Sequence, residues 1–208
     1  MLIIGAGGFA KEVLQVLEDS KISDICFFDN INIENKFVFD KYRVLNNFEE
    51  CSIYFTNIDK NCVLGIGGGK IREQLTNQFE SLGAILTSVI SNNVEMGKYV
   101  DLGNGATILA KTVISNSVKI GRGLLMYYNA VITHDCVIGD FVELSPGATL
   151  LGRVNIGNYT QIGANATVLP GINVGSNVIV GAGAIVTKDV PDNCIVAGIP
   201  ARIIKKEK

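Results

Sequence analysis

The chain has 208 residues, 48% of them apolar, with 18 basic and 20 acidic side chains and a formal net charge of −2. That length suits one domain or two small ones, and the even charge balance offers no basic surface to nucleic acid or to an anionic membrane; the longest charged run is the terminal Lys205-Lys206-Glu207-Lys208. No apolar run approaches the ~20 residues that cross a bilayer, and Leu2-Ile3-Ile4-Gly5 follows Met1 with no basic residues ahead of it, so neither a transmembrane helix nor a secretory leader is expected.

Residues 1–90 predict a small α/β domain with a parallel sheet. Leu2-Ile3-Ile4 is an apolar strand that runs into the glycines at 5, 7 and 8. Ala10 to Asp19 carries Val13, Leu14 and Leu17 on one helical face. Ile25-Cys26-Phe27-Phe28 predicts a second strand ending at Asp29, and Ser52-Ile53-Tyr54-Phe55 and Cys62-Val63-Leu64-Gly65-Ile66 predict two more. After the triple glycine 67–69, Ile71, Leu75, Phe79 and Leu82 mark the apolar face of another helix. Strands alternating with helices build a Rossmann-like layer.

From about Val94 to Val190 the grammar changes to a six-residue period. Stepping by six from Val94 reaches Val100, Ala106, Thr112, Val118 and onward to Val190, always a small or aliphatic residue. Stepping from Met96 reaches Leu102, Ile108, Ile114 and onward to Val186, always a large apolar one. Residues two apart point to the same side of a strand, so both series point inward, and the Gly, Asn and Asp between strands allow tight corners. Coils stacked in this way share one continuous core. A β-sandwich would not hold a six-residue phase over such a length. The phase is expected to run without a slip, and residues 91–208 are assigned to a β-helix with a C-terminal cap.

Gly5-Ala6-Gly7-Gly8-Phe9-Ala10 fits G-x-G-x-x-A between a strand and a helix, with Asp29 after the second strand. Bare backbone at a helix N-terminus suits a phosphate, and the acid suits a sugar or base. A tight structural turn accounts for the same pattern, and an NAD site is a sharper alternative for which the α/β part is short. Lys70 and Arg72 are placed to reach a phosphate or simply to start a solvated helix. His134 is the single histidine. Its phase puts it at a corner of the coil, with Asp135 beside it to orient the imidazole and raise its basicity. Gly152 follows eighteen residues on, three hexads away, and its bare backbone N–H suits an oxyanion; three hexads to a coil, which would stack it over His134, is what the family resemblance given below implies. The alternative is an exposed corner histidine without a role. Of the pair Tyr127-Tyr128, Tyr127 either lines a sugar pocket or packs at the surface or between subunits. Five cysteines without metal-ligand spacing, beside one histidine, predict reduced thiols, a cytoplasmic location and no metal; a three-histidine zinc site is excluded by count.

The hexads resemble the left-handed β-helix of the hexapeptide acyltransferases. Together with the glycine-rich domain, the His134-Asp135-Cys136 corner and the closing Val190-Pro191-Asp192-Asn193-Cys194 to Arg202 stretch, the chain resembles the sialic acid O-acetyltransferase and UDP-4-amino-sugar N-acetyltransferase family. The resemblance implies a homotrimer with acetyl-CoA between neighbouring helices, His134 as general base, Asp135 as its supporting acid and Gly152 as oxyanion donor. It implies acetyl-CoA contacts at Glu143, Ala164 and Ala182, the last two mainly through backbone. It implies a nucleotide-sugar site at Gly7, Gly8, Phe9, Asp29, Asn30 and Gly67. Phe9 and Asn30 depart from the His and Asp of some relatives, which bears on the nucleotide base. The expected reaction is N-acetylation of a nucleotide-linked 4-amino-4,6-dideoxy sugar; the competing expectations are O-acetylation of a sialic acid or other sugar hydroxyl, and a non-catalytic sugar-nucleotide-binding protein.

Overall fold

The computed structural model describes residues 1–206; Glu207 and Lys208 of the terminal charged run lie outside them. The first layer is a sheet built from β1 (Leu2–Ile4), β2 (Cys26–Phe28), β3 (Phe37–Val38), β4 (Tyr42–Leu45), β5 (Asn61–Leu64) and β6 (Ile85–Leu86), in the order β3-β4-β2-β1-β5-β6. All its pairings are parallel except β3 with β4. Alternation along the strands fills both faces. Ile3, Phe27 and Val63 pack against Ala10, Val13, Leu14 and Leu17 of α1 (Gly8–Asp19). Leu2, Ile4, Phe28 and Leu64 pack against Phe55 of α2 (Phe48–Asn57) and Phe79 of α3 (Gly69–Ser81).

Two sequence expectations change here. Ser52–Phe55, read as a strand, lies inside α2. The Asn47 side chain accepts the Glu50 N–H at 2.8 Å and donates back to the Glu50 carboxylate at 2.8 Å. That reciprocal cap, with Cys51, Tyr54 and Phe55 buried on one helical face, outweighs the β-propensity of Ile53-Tyr54-Phe55. The buried face of α3 is also rotated from the expected one. It presents Arg72, Thr76 and Phe79 inward and leaves Ile71 46% exposed, because Ile71 borders an open cavity, while Leu75 both lines that cavity and packs at the margin of the core.

The second layer is a parallel β-helix of two-residue strands. Thr107 pairs with Leu125, Leu125 with Glu143, Glu143 with Gln161 and Gln161 with Ile179, eighteen residues apart each time. Three such ladders form three faces: one running from Val89–Ile90 to Ile179–Val180, a second from Glu95–Met96 to Ile185–Val186, and a third from Asp101–Leu102 to Asn173–Val174. Both apolar series fill the interior, and from Ala106 to Val190 all their members are buried except the half-buried Ile172. The helix begins at Val89, ahead of the aliphatic repeat, because the small inward position of that first hexad is held by the polar Ser88, whose hydroxyl accepts the Ala106 N–H. The phase does slip once. Val190 pairs with Val174, sixteen residues back, and Val196 with Val180. The last corner is therefore two residues shorter than the repeat, and the chain ends in a hairpin of Cys194–Ala197 with Arg202–Lys206.

The α/β layer rests on the first face of the β-helix. Arg72 is 1% exposed, and its guanidinium donates to the carbonyls of Gly123, Phe141 (2.8 Å) and Val142 (3.2 Å). Hydrogen bonds from a charged donor contribute about 1.5–3 kcal/mol each. Burial lowers the Arg72 pKa to about 10, against a rise from nearby Glu143. Neither a phosphate ligand nor a solvated helix start describes this residue: it is an internal fastener between the two layers. Glu73 reinforces the joint by accepting from the Tyr159 hydroxyl at 2.9 Å, and Tyr159 stacks on Phe141.

Candidate active site

The strand order reverses at β1. The chain leaves β1 for β2 on one side and returns through β5 on the other, so a crevice opens beyond the ends of β1 and β5. Gly5 takes φ +107° there, with Gly65 pressed against it: a Cβ on Gly5 would sit 2.8 Å from the Gly65 carbonyl oxygen. The crevice is a cavity of about 620 Å³, within the range of small-molecule sites. Gly7, Gly8, Phe9, Asp29, Asn30 and Gly67 all line it. Helix α1 starts at Gly8 with no side-chain cap on its first N–H groups. Sequence reasoning did not find the opposite wall, formed by Ile71, Gln74, Leu75 and Gln78 of α3. Their i, i+3, i+4, i+7 spacing was the signal.

Asp29 is not a free acceptor. Its carboxylate takes the N–H groups of Ile31 (2.9 Å) and Asn32 (3.0 Å) and the Asn32 side-chain amide (2.9 Å). Burial pushes this carboxyl up, but the three hydrogen bonds pull it further down, and it ends below the ordinary carboxylate range. Phe9 rests against the Tyr127 ring at 5.0 Å. Burial, then Glu143 and Glu12, push the Tyr127 hydroxyl up to about 12, so it stays a neutral phenol. Glu143 sits beneath the cavity floor, where its carboxylate accepts the Gly68 N–H at 3.0 Å and the Gln161 amide at 3.3 Å.

His134 lies elsewhere on the chain. It follows Val131–Ile132 of the second face and precedes Val137–Ile138 of the third, so its edge is the one opposite the α/β layer. Its Nδ1 is 2.8 Å from the Asp135 carboxylate, and both side chains are half-exposed. Asp135 holds the left-handed corner position, φ +62°, which turns its carboxylate back toward the ring. Gly152 stacks directly over the imidazole: a Cβ there would lie 2.6 Å from Cε1 and 2.7 Å from Nε2. The Gly152 N–H has no acceptor among the described residues. Cys136, next in sequence, points into the core with its Sγ 3.3 Å from the Leu151 carbonyl, and burial raises its thiol pKa. Ala164 and Ala182 follow strands of the first face and precede strands of the second, which puts them on a different edge from His134. Their N–H groups are likewise without acceptors among the described residues.

Residues 1–79 match the family described as PglD N-terminal domain, and residues 153–188 match the bacterial transferase hexapeptide (six repeats). Several solved structures superpose over nearly the whole chain. WeeI from Acinetobacter baumannii AYE is 30% identical, covers 98% of both chains and has a TM-score of 0.90. The chain belongs to the left-handed β-helix hexapeptide acyltransferases, in the sialic acid O-acetyltransferase and UDP-4-amino-sugar N-acetyltransferase family. PerB from Caulobacter crescentus, solved with CoA and GDP-perosamine, is 28% identical over 98% of this chain and 96% of its own, with a TM-score of 0.91. The acetyltransferase domain of PglB from Neisseria gonorrhoeae FA1090, solved with acetyl coenzyme A, is 28% identical over 98% of both chains, with a TM-score of 0.88. No curated protein matches the chain. The left-handed β-helix joined to a small parallel α/β layer, expected from the hexads and the glycine loop, is the fold of this acyltransferase.

Proposed function

We propose that the chain is an acetyl-CoA-dependent N-acetyltransferase acting on the amino group of a nucleotide-linked 4-amino-4,6-dideoxy sugar. The observation that carries the reading is the imidazole of His134 held by Asp135 directly beneath a glycine whose N–H is unpaired. Full-length similarity to acetyltransferases solved with acetyl coenzyme A, or with CoA and GDP-perosamine, supports the substrate class. His134 Nε2 takes the proton from the acceptor amine as nitrogen bonds to the acyl carbon. The Gly152 N–H faces the carbonyl oxygen that gains charge. The imidazolium then returns its proton to the departing sulfur. Acetyl-CoA supplies the activated acyl group; the unpaired N–H groups of Ala164 and Ala182 suit the amide-rich arm of that co-substrate, and no metal enters the scheme.

The glycine-lined cavity and His134 lie on opposite sides of one chain, so a single copy does not bring them together. A homotrimer, in which the His134 edge of one copy meets the Ala164–Ala182 edge of its neighbour, supplies the missing wall. Steady-state thiol release from acetyl-CoA with UDP-, GDP- and dTDP-linked 4-amino sugars, and with free sialic acid, tests the reaction. Release with sialic acid alone would replace N-acetylation by O-acetylation. A sedimentation run showing an active monomer would remove the shared site.

A further inference from the structure

We infer that Glu12 of α1 receives the acceptor amino group, and that its carboxylate makes the site selective for an amine over a hydroxyl. The inference rests on the shared-site N-acetyltransferase reading above. Glu12 stands one helical turn beyond Phe9, on the same side of α1. Phe9 lines the glycine-rich cavity and leans on Tyr127. Burial and then nearby carboxylates push two phenols up, Glu143 and Glu12 acting at Tyr127 and Glu12 at Tyr128, so Glu12 lies beside that pair. The three side chains meet where the cavity runs out onto the β-helix. Tyr127, Tyr128 and Asn129 make a corner between the first and second faces, on the edge that also carries Ala164 and Ala182. His134 comes one hexad later, at the next corner of the same coil. Copies packed around an axis along the β-helix bring corners of one level together. The neighbour's His134 then faces the Tyr127 corner and Glu12.

The carboxylate is uncommitted. Glu12 is half-buried, one of its oxygens is enclosed without a hydrogen-bond partner, and no salt bridge among the described residues includes it. Its neighbour Lys11 lies over the Phe39 ring instead, and Arg72 is engaged by backbone carbonyls. Burial holds the Glu12 carboxyl above its ordinary pKa. An enclosed acceptor without a donor is costly until a ligand supplies one. A neutral primary amine brings two N–H groups and one lone pair. With one N–H given to His134 Nε2 and the other to Glu12, the lone pair is left aimed at the acyl carbon. His134 still takes the proton released on attack, and none passes to Glu12. A hydroxyl has a single O–H. Once that is given to His134, only oxygen lone pairs face Glu12, and the repulsion rejects the alcohol.

Thiol release by the full chain tests the assignment, with the nucleotide-linked 4-amino sugar that the panel above selects and with its 4-hydroxyl counterpart. Glu12→Ala should lower kcat/KM for the amine about 10–100-fold, the loss of a hydrogen bond to a charged acceptor. Glu12→Gln keeps the side chain's size and can turn an N–H toward a hydroxyl oxygen. It should lower the ratio of amine to hydroxyl transfer at least about tenfold. Calorimetric affinity for CoA and for the matching nucleoside diphosphate should stay as in the wild type. Variants that keep both the rate and the ratio would overturn the assignment and leave the N-acetyltransferase reading in place. So would an equal loss on both acceptors, or a loss of nucleoside diphosphate affinity, either of which would make Glu12 a packing residue of α1. A wild type that releases no thiol with any amino sugar would overturn the N-acetyltransferase reading and this assignment with it.

Discussion

The β-helix has two edges with the same backbone and opposite chemistry. On the edge between the third and first faces, four successive corner N–H groups are capped from the coil above. Arg122 N–H donates to Asp140, Asp140 to Asn158, Asn158 to the Ser176 hydroxyl and Ser176 to Asp192, at 2.8–3.1 Å. On the His134 edge the ladder begins in the same way, Lys98 N–H to Asn116 at 2.7 Å, and then stops. The residue above His134 is Gly152, which has no side chain to offer, and Pro170 above it has no acceptor either. The corner geometry therefore does not need the cap. Removing it leaves an unpaired donor and a socket for an imidazole, and the capped edge shows what the same positions look like when they serve only stability.

The sharpest way to break this comparison is His134→Ala. General-base help is worth about 10²–10⁴-fold, and kcat for acetyl transfer should fall by that amount. The side chain is half-exposed at a corner, so stability should move by less than about 0.5 kcal/mol. Near-normal turnover would end the His134 mechanism, while a parallel collapse of melting temperature would make the residue structural. Gly152→Ala should come next. Its Cβ would land 2.6–2.7 Å from the ring, and the imidazole, being flexible, would give way instead of the coil. A displacement of ~1 Å costs on the order of 10²-fold in rate. A variant that keeps both its fold and full activity would show that the imidazole has no fixed place beneath residue 152.

How much of this was legible in the sequence follows from what sets each feature. The six-residue phase comes from burial alone, so it could be read off residue types, and it placed His134 and Gly152 eighteen apart without a structure. The glycine loop announced the cavity because backbone crowding at Gly5 and Gly65 admits no other residue. The wall carrying Gln74 and Gln78 had only its helical spacing to announce it, a weak signal because Ile71 and Leu75 on the same face look like core and Ile71 turns to the cavity only once Arg72 points inward. That turn depends on carbonyls of Gly123, Phe141 and Val142, far along the chain. The strand misread at Ser52–Phe55 failed for a local reason: the Asn47–Glu50 cap starts a helix that β-branched and aromatic residues then follow. The slip at Val190 was hidden because an aliphatic residue fills either phase.

Smaller effects sharpen the comparison from the capped edge. Asn158→Ala removes the acceptor for the Asp140 N–H and should cost about 1 kcal/mol, read as a shift in denaturant midpoint at constant slope. Acetyl transfer should be unchanged, because that edge carries no chemistry. A tenfold drop in turnover would mean that the edges are coupled through the coil.

The smallest expected effect concerns Cys136, one residue beyond Asp135 and turned into the core. Burial, opposed only partly by backbone hydrogen bonds, raises its thiol above the ordinary value of 9.0. At pH 8 it is therefore a thiol and not a thiolate, and neither nucleophile nor alkylation target. Incubation with iodoacetamide at that pH should leave activity intact. The sign reverses for stability at high pH. Above 9 the unfolded chain gives up this proton while the folded chain keeps it, so the unfolded state binds fewer protons and stability falls as pH climbs. Cys51 and Cys62, whose thiols burial pushes up to about 12, act in the same direction. Inactivation at pH 8 that tracks modification of Cys136 would place a reactive thiol beside His134, and the His134 edge would then differ from the capped edge by a nucleophile as well as by a base.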